Sequence, residues 1–162
     1  MLRSGEPRES DLSSRRIALL QEVTIASPIY LERHGTPKTW SALQGHCMVG
    51  FRSSATGSVL PLEFMVEGKA RTVMLPARLS VDGADTYRAA ALHHHGLIQV
   101  PRYAIEAHLA DGSLVEVMPE TPPSPTPVHL LYPRNRQLSL RVRVFIDWVI
   151  TAFAASLSAA DV

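Results

Sequence analysis

The stretch Ala84–Glu120, ADTYRAAALHHHGLIQVPRYAIEAHLADGSLVEVMPE, most constrains the fold, because it reads as helix, strand, helix and strand without a long connection. Asp85 is placed to cap a helix that carries Tyr87, Ala90, Ala91 and His94 at helical spacing, and Gly96 is placed to end it in a left-handed conformation. Leu97–Val100 is an apolar run of the kind buried in a parallel sheet. Pro101 stops that strand and opens one short helix over Tyr103–Leu109. Asp111-Gly112 turns the chain into a second apolar run, Leu114–Met118. Strand, helix and strand with turns this short imply a right-handed crossover, and hence an α/β layer rather than a bundle or a sandwich.

The remaining segments read as small elements around that run. Residues 1–16 are polar and suit exposed irregular structure, with Met1-Leu2-Arg3 as a frayed strand end. Ile17–Ile25 suits one strand ending at Ala26. Ser27-Pro28 is a helix start, with Tyr30 and Leu31 inward and Gly35 at its end. Thr39 is placed to cap a short helix through Leu43. His46–Phe51 reads as a strand, Arg52–Ser58 as a polar loop, and Leu60–Val66 with Lys69–Leu75 as a hairpin turned at Glu67-Gly68. Leu79–Val81 is one more strand. Residues 119–127, PETPPSPTP, hold five prolines and read as a stiff, solvated connector. Val128–Tyr132 is a strand, and residues 133–137 form a loop. Ser139 then caps a helix whose Leu138, Val142, Phe145, Ile146, Val149 and Phe153 make one apolar stripe, with Arg141, Asp147 and Thr151 facing water.

Composition narrows the function classes. A hydrophobic content of 46% over 162 residues supports a packed core. Sixteen Lys and Arg against fifteen Asp and Glu leave a formal charge of +1, so no general basic field argues for direct nucleic-acid binding. The N-terminal residues lack the apolar run of a secretory signal, and the C-terminal apolar stretch is interrupted by Arg143 and Asp147. A single cysteine, Cys47, excludes an internal disulfide, and together these features favour the cytoplasm.

Four blocks then carry a resemblance: SPIYLERHGTPKTWSALQGH (27–46), GLIQVPRY (96–103), LADGSLVEVMPE (109–120) and VHLLYPRNRQLSLRVRVFIDWV (128–149). In this order they resemble the effector-binding region of LysR-type transcriptional regulators, over nearly the whole chain. The resemblance implies an α/β, type 2 periplasmic-binding-protein-like fold of two lobes joined by crossover strands, with the first lobe incomplete. Residues 1–25 would be a partial first lobe and residues 26–120 the second, effector-binding lobe. Residues 121–127 would be the crossover, and residues 128–157 the return to the first lobe with the C-terminal helix. The expected function is effector sensing in a bacterial transcriptional regulator. The partners would be a small-molecule effector (an organic or aromatic acid) and further copies of the chain, with no membrane. DNA would be reached only through a winged helix-turn-helix that these residues do not include. The alternative is a truncated interaction module that oligomerises with itself or with full-length regulators without sensing a ligand. The family's Gly-x-Gly after this helix is replaced here by His94-His95-Gly96.

Two segments suit a small ligand. Ser53-Ser54-Ala55-Thr56-Gly57 can offer hydroxyls and backbone N–H groups to an anion. Asp82–Thr86 sits at a strand end and helix start, where open α/β sheets collect ligands, although Asp82 and Asp85 could serve only as caps. Phe51, Ser53, Ser54, Asp82, Gly83 and Thr86 are therefore the candidate effector-binding residues. His93-His94-His95 does not read as a metal site, because consecutive helical residues diverge by about 100°. Cys47 reads as a buried strand thiol, and His46 beside it as no nucleophile–base pair. The arginines at 134, 136, 141 and 143 read as a solvated helix start. No Gly-rich phosphate loop, HExxH or GxSxG motif supports an enzyme, and no cofactor is expected.

Overall fold

A computed structural model describes residues 2–4, 12–54, 56–133 and 140–158, with side chains at 13–54, 56–132 and 140–152. The chain forms two compact units, one of Gln21–Ser124 and one of Met1–Leu20 with Pro125–Val162. The expected loop at 134–137, the Ser139 cap, Leu138, Arg134 and Arg136 lie outside the described residues, as does the Phe153 side chain.

The smaller unit is a three-stranded antiparallel sheet of β1 (Leu2–Ser4), β2 (Leu12–Leu20) and the last strand, Thr126–Pro133, which lies between them. Residues 12–16 are thus strand rather than irregular, because their backbone pairs in register with residues 129–133 of that last strand. The two prolines of this central strand, Pro127 and Pro133, flank the Val128–Leu130 stretch that pairs with β1, and among the described residues they pair only with β2. A helix over Leu140–Ser158 packs on β2 and buries Ile146 and Val149. The expected stripe is only half realised. Phe145 is 58% exposed and Val142 is also exposed, and with Leu140, Val144 and Trp148 they leave an open apolar face.

The larger unit is organised on β3 (Glu22–Ala26), which Gln21 separates from β2, so Ile17–Ile25 is not one strand. β3 is the centre of an antiparallel sheet, between Ile98–Pro101 and Val115–Glu116. The apolar run at 97–100 is therefore in an antiparallel ladder. It reads as a buried parallel strand because this sheet, too, is covered on both faces. Strand alternation divides the residues between two cores. Val23, Ile25, Ile98 and Val100 join Tyr87, Ala90, Ala91, Ile105 and Leu114 on one side. Ala26 and Leu97 join Tyr30, Leu31, Met48, Leu62, Phe64 and Val117 on the other.

In chain order, the elements after β3 are α1 (Pro28–His34), a 3₁₀ turn (Trp40–Ala42), β4 (Gly50–Arg52), β5 (Val59–Leu60), β6 (Leu62–Val66), β7 (Lys69–Val73), β8 (Ser80–Val81), α2 (Ala84–Leu92), β9 (Ile98–Pro101), a 3₁₀ turn (Arg102–Ala104), α3 (Glu106–Ala110), β10 (Val115–Glu116), β11 (Thr126–Pro133) and α4 (Leu140–Ser158). Ser27 caps α1 as expected, its hydroxyl accepting the Tyr30 N–H at 3.3 Å. Thr39 precedes its turn without such a bond, its hydroxyl engaging Ser41 instead. The β6–β7 hairpin turns at Glu67 (φ 50°) and Gly68 (φ 74°), the two positive φ values of a type I′ connection. Pro61 divides the expected 60–66 run into β5 and β6, and of the 46–51 run only Gly50 and Phe51 lie in a strand, β4. The helix expected at 103–109 is two pieces, broken at Ile105, which is buried.

Two side-chain devices bind the hairpin to the sheet. The Gln99 carboxamide accepts the Glu63 N–H at 2.8 Å and donates to the Glu63 carbonyl at 2.6 Å and the Thr24 hydroxyl at 2.9 Å, standing in for a neighbouring strand. The proline-rich segment is docked rather than solvated up to Ser124. Met65 donates its N–H to the Pro122 carbonyl at 2.9 Å, Ser124 donates to the Glu63 carboxylate at 3.1 Å, and Pro123 is buried.

Candidate functional site

β4 and β8 are parallel neighbours, with Phe51 opposite Val81. Both chains leave the sheet at the same end, so Ser53 and Ser54 follow one strand where Asp82 and Gly83 follow the other. Gly83 occupies the N-cap position of α2, and no side chain caps that helix. Asp85 is thus not the cap. It stands in the first turn and pairs with Arg88, whose guanidinium also donates to the Ala104 carbonyl at 2.8 Å. Phe51, Ser53 and Ser54 thus stand at the end of one strand, and Asp82, Gly83 and Thr86 follow its parallel neighbour into a helix start that no side chain caps; this strand-end region is the ledge.

The ledge has a firm floor and an open top. Phe51 is half-buried against Tyr87, ring centroids 5.0 Å apart. Burial pushes the Tyr87 phenol up to about 12, so it stays neutral while its oxygen accepts the Gln99 N–H at 3.4 Å. Ser54, Asp82 and Thr86 are exposed. The loop after Ser53 closes on itself. Ser53 donates its N–H to the Ser58 carbonyl at 2.9 Å, Gly57 donates back to the Ser53 carbonyl at 2.7 Å, and Arg52 donates to the Gly57 carbonyl at 2.6 Å. A carboxylate or hydroxyl compound could meet hydroxyls and backbone donors there.

At the far end of α2 the histidine run does something that consecutive spacing does not reveal. His93 closes the helix, and His94, at φ 66°, makes the left-handed step expected of Gly96. The His94 ring then reaches Ser27, Nδ1 to Oγ 2.8 Å, tying the end of α2 to the cap of α1. Gly96 has a different duty. At φ 144°, a Cβ placed on it would lie 2.7 Å from the Cys47 carbonyl oxygen, so the two backbones meet there. Cys47 is half-buried outside any strand, its thiol donating to the His95 carbonyl at 3.6 Å. Among the described residues, no group of three or more His, Cys, Asp or Glu could hold a metal ion. No described helix is long and apolar enough to cross a membrane.

In α/β folds of this kind, ligands collect at the ends of parallel strands. Comparison with known proteins makes the class specific. Residues 1–154 match the model of the LysR substrate binding domain, and the chain belongs to that family. It is 32% identical over 149 residues to the uncharacterized HTH-type transcriptional regulator YhjC of Escherichia coli K12, covering 92% of this chain and 50% of that protein. To the HTH-type transcriptional regulator CrgA of Neisseria meningitidis serogroup B it is 26% identical over 157 residues, 96% of this chain and 52% of the relative. The regulatory domain of AphB from Vibrio vulnificus superposes with a TM-score of 0.73 at 27% identity, over 93% of this chain and 73% of that one. The fold is the type 2 periplasmic-binding-protein-like fold of such regulatory domains. The chain spans about half the length of the curated relatives it matches.

Proposed function

We propose that this chain is the effector-sensing part of a LysR-type transcriptional regulator, acting in the cytoplasm on a small organic acid. The observation that supports this reading is the parallel pairing of β4 and β8 beside a helix start that no side chain caps, with Phe51, Ser53, Ser54, Asp82, Gly83 and Thr86 as the residues proposed to meet the effector. Membership of the family supports a sensing role, and relatives named as transcriptional regulators support its coupling to transcription. The mechanism is a population shift: a ligand that favours one arrangement of the domain changes how an oligomer holds DNA. On this reading, DNA contact belongs to a helix-turn-helix outside these 162 residues. The exposed apolar face of α4, with Phe145 and Trp148 in ring contact at 6.0 Å, supports association with further copies or with the rest of a regulator. A thermal-shift screen of organic acids tests the sensing role. A saturable rise in Tm that Ser53→Ala and Thr86→Ala weaken is expected, and no rise with any acid would refute retained sensing.

A further inference from the structure

A second concave site lies in the larger unit. It is a cavity of about 480 Å³ whose lining includes Arg33, His34, His46, Arg78, His94 and His95. Two arginines and four histidines line it, and no carboxylate does. Neither Arg33 nor Arg78 forms an ion pair among the described residues. The volume suits a small organic molecule, and Leu43, Leu75 and Pro76 supply an apolar wall.

Hydrogen bonding fixes what the imidazoles offer. The Tyr30 hydroxyl donates its one hydrogen to the Cys47 carbonyl at 3.1 Å and accepts the Cys47 N–H at 2.9 Å. The remaining lone pair meets His46 Nδ1 at 3.2 Å, so that nitrogen carries the proton. His46 Nε2 is then left with a lone pair, and it has no hydrogen-bond partner among the described residues. No buried side-chain nitrogen or oxygen among the described residues lacks a partner, so this unbonded atom is accessible. His34 Nδ1 donates to the Tyr30 carbonyl at 3.1 Å, which leaves Nε2 as the acceptor of its neutral ring. His94 Nδ1 lies 2.8 Å from Ser27 Oγ, and where the hydroxyl is the donor His94 Nε2 carries the proton of the neutral ring. The His34 and His46 rings stand 6.5 Å apart, so charging both is unfavourable unless an anion joins them.

We propose that this cavity is a binding site for a small organic acid, distinct from the strand-end ledge, in which Arg33, Arg78 and His94 meet the carboxylate and Leu43, Leu75 and Pro76 meet the carbon skeleton. Binding is proton-linked. The groups that face His46 are Tyr30, Arg33 and His34 from α1, Cys47 beside it, Arg78 after β7, and His94 and His95 after α2. None is acidic; burial first, and then His34, hold the His46 imidazolium below its ordinary value, and a bound carboxylate opposes both, so affinity strengthens as pH falls.

The test is titration of the ¹⁵N-labelled full chain with benzoate as probe and inorganic sulfate as control, at pH 8 and pH 6. Benzoate remains ionised at both values, because an ordinary carboxyl titrates near pH ~4. Expected are saturable shifts of the Gly45, His46, Cys47 and His94 resonances, tighter at pH 6. The exposed pair Arg33→Gln and Arg78→Gln, which leaves the core untouched, should weaken binding at least about tenfold, the scale of one lost charge-assisted contact. Unperturbed resonances, unchanged affinity in the double variant, or shifts confined to residues 51–58 and 82–86 would overturn the site. Sulfate binding as tightly as benzoate would overturn its assignment to an organic acid.

Discussion

The strand-end ledge and the imidazole cup lie at opposite ends of α2, and they use polar groups in opposite ways. On the ledge, Ser54, Asp82 and Thr86 are exposed, and the loop that carries the serines is held by its own backbone. In the cup, His46 is 6% exposed, and each of its ring partners is held in turn by backbone or by a cap hydroxyl. The ledge can therefore change its chemistry at little cost to the fold, whereas the cup is part of what holds α1, the Cys47 segment and the end of α2 together. The cup suits a group whose charge state must be controlled.

Breaking the close approach under the cup should have the largest effect. Gly96→Ala sets a Cβ against the Cys47 carbonyl and forces an alanine to φ 144°, so urea unfolding should show a loss of about 3 kcal/mol. If stability were unchanged, the two backbones would not meet there. Tyr30→Phe comes next. It strips partners from the Cys47 N–H and carbonyl and from His46, and should cost roughly 2 kcal/mol by the same measurement. Burial holds the Tyr30 phenol well above its ordinary value, so no ionisation of Tyr30 contributes to unfolding at neutral pH.

The pH dependence sharpens the contrast further. Burial, and then the neighbouring His34, hold the His46 imidazolium below its ordinary value of 6.5. The unfolded chain thus binds the more protons between the two values. Stability contributed by neutral His46 is complete above the unfolded value, and is lost as pH falls from about 6.5 towards the lower folded one. Urea midpoints should therefore fall over that window in the wild type and fall less in His46→Gln, and parallel slopes would contradict the burial argument. The smallest effect belongs to the ledge. Ser54→Ala, Asp82→Asn and Thr86→Ala should each leave stability within about 0.5 kcal/mol, while altering any response to an effector. A large loss from Asp82→Asn would mean that the aspartate is structural after all.

What was legible in the sequence was local. Ser27-Pro28 starts a helix because a hydroxyl acceptor and a fixed φ both act within four residues, and Glu67-Gly68 turns a hairpin for similarly short-range reasons. The strand end and helix start at residues 80–86 were legible too, since they lie adjacent in the chain. Four blocks in order carried the family, which the match over residues 1–154 establishes. Sequence could not choose antiparallel over parallel pairing for 97–100, because burial on both faces produces the same apolar run in either. Nor could it show that residues 12–16 are strand, since their partners lie more than a hundred residues away. The cup was hidden for the same reason. His34, His46 and Arg78 each look like an isolated polar residue and His94 like one of a histidine run, and only the packing of α1, the Cys47 segment and the end of α2 makes them neighbours. Short-range backbone preferences are written in consecutive residues, whereas a constellation of charge depends on distances that only the folded chain sets.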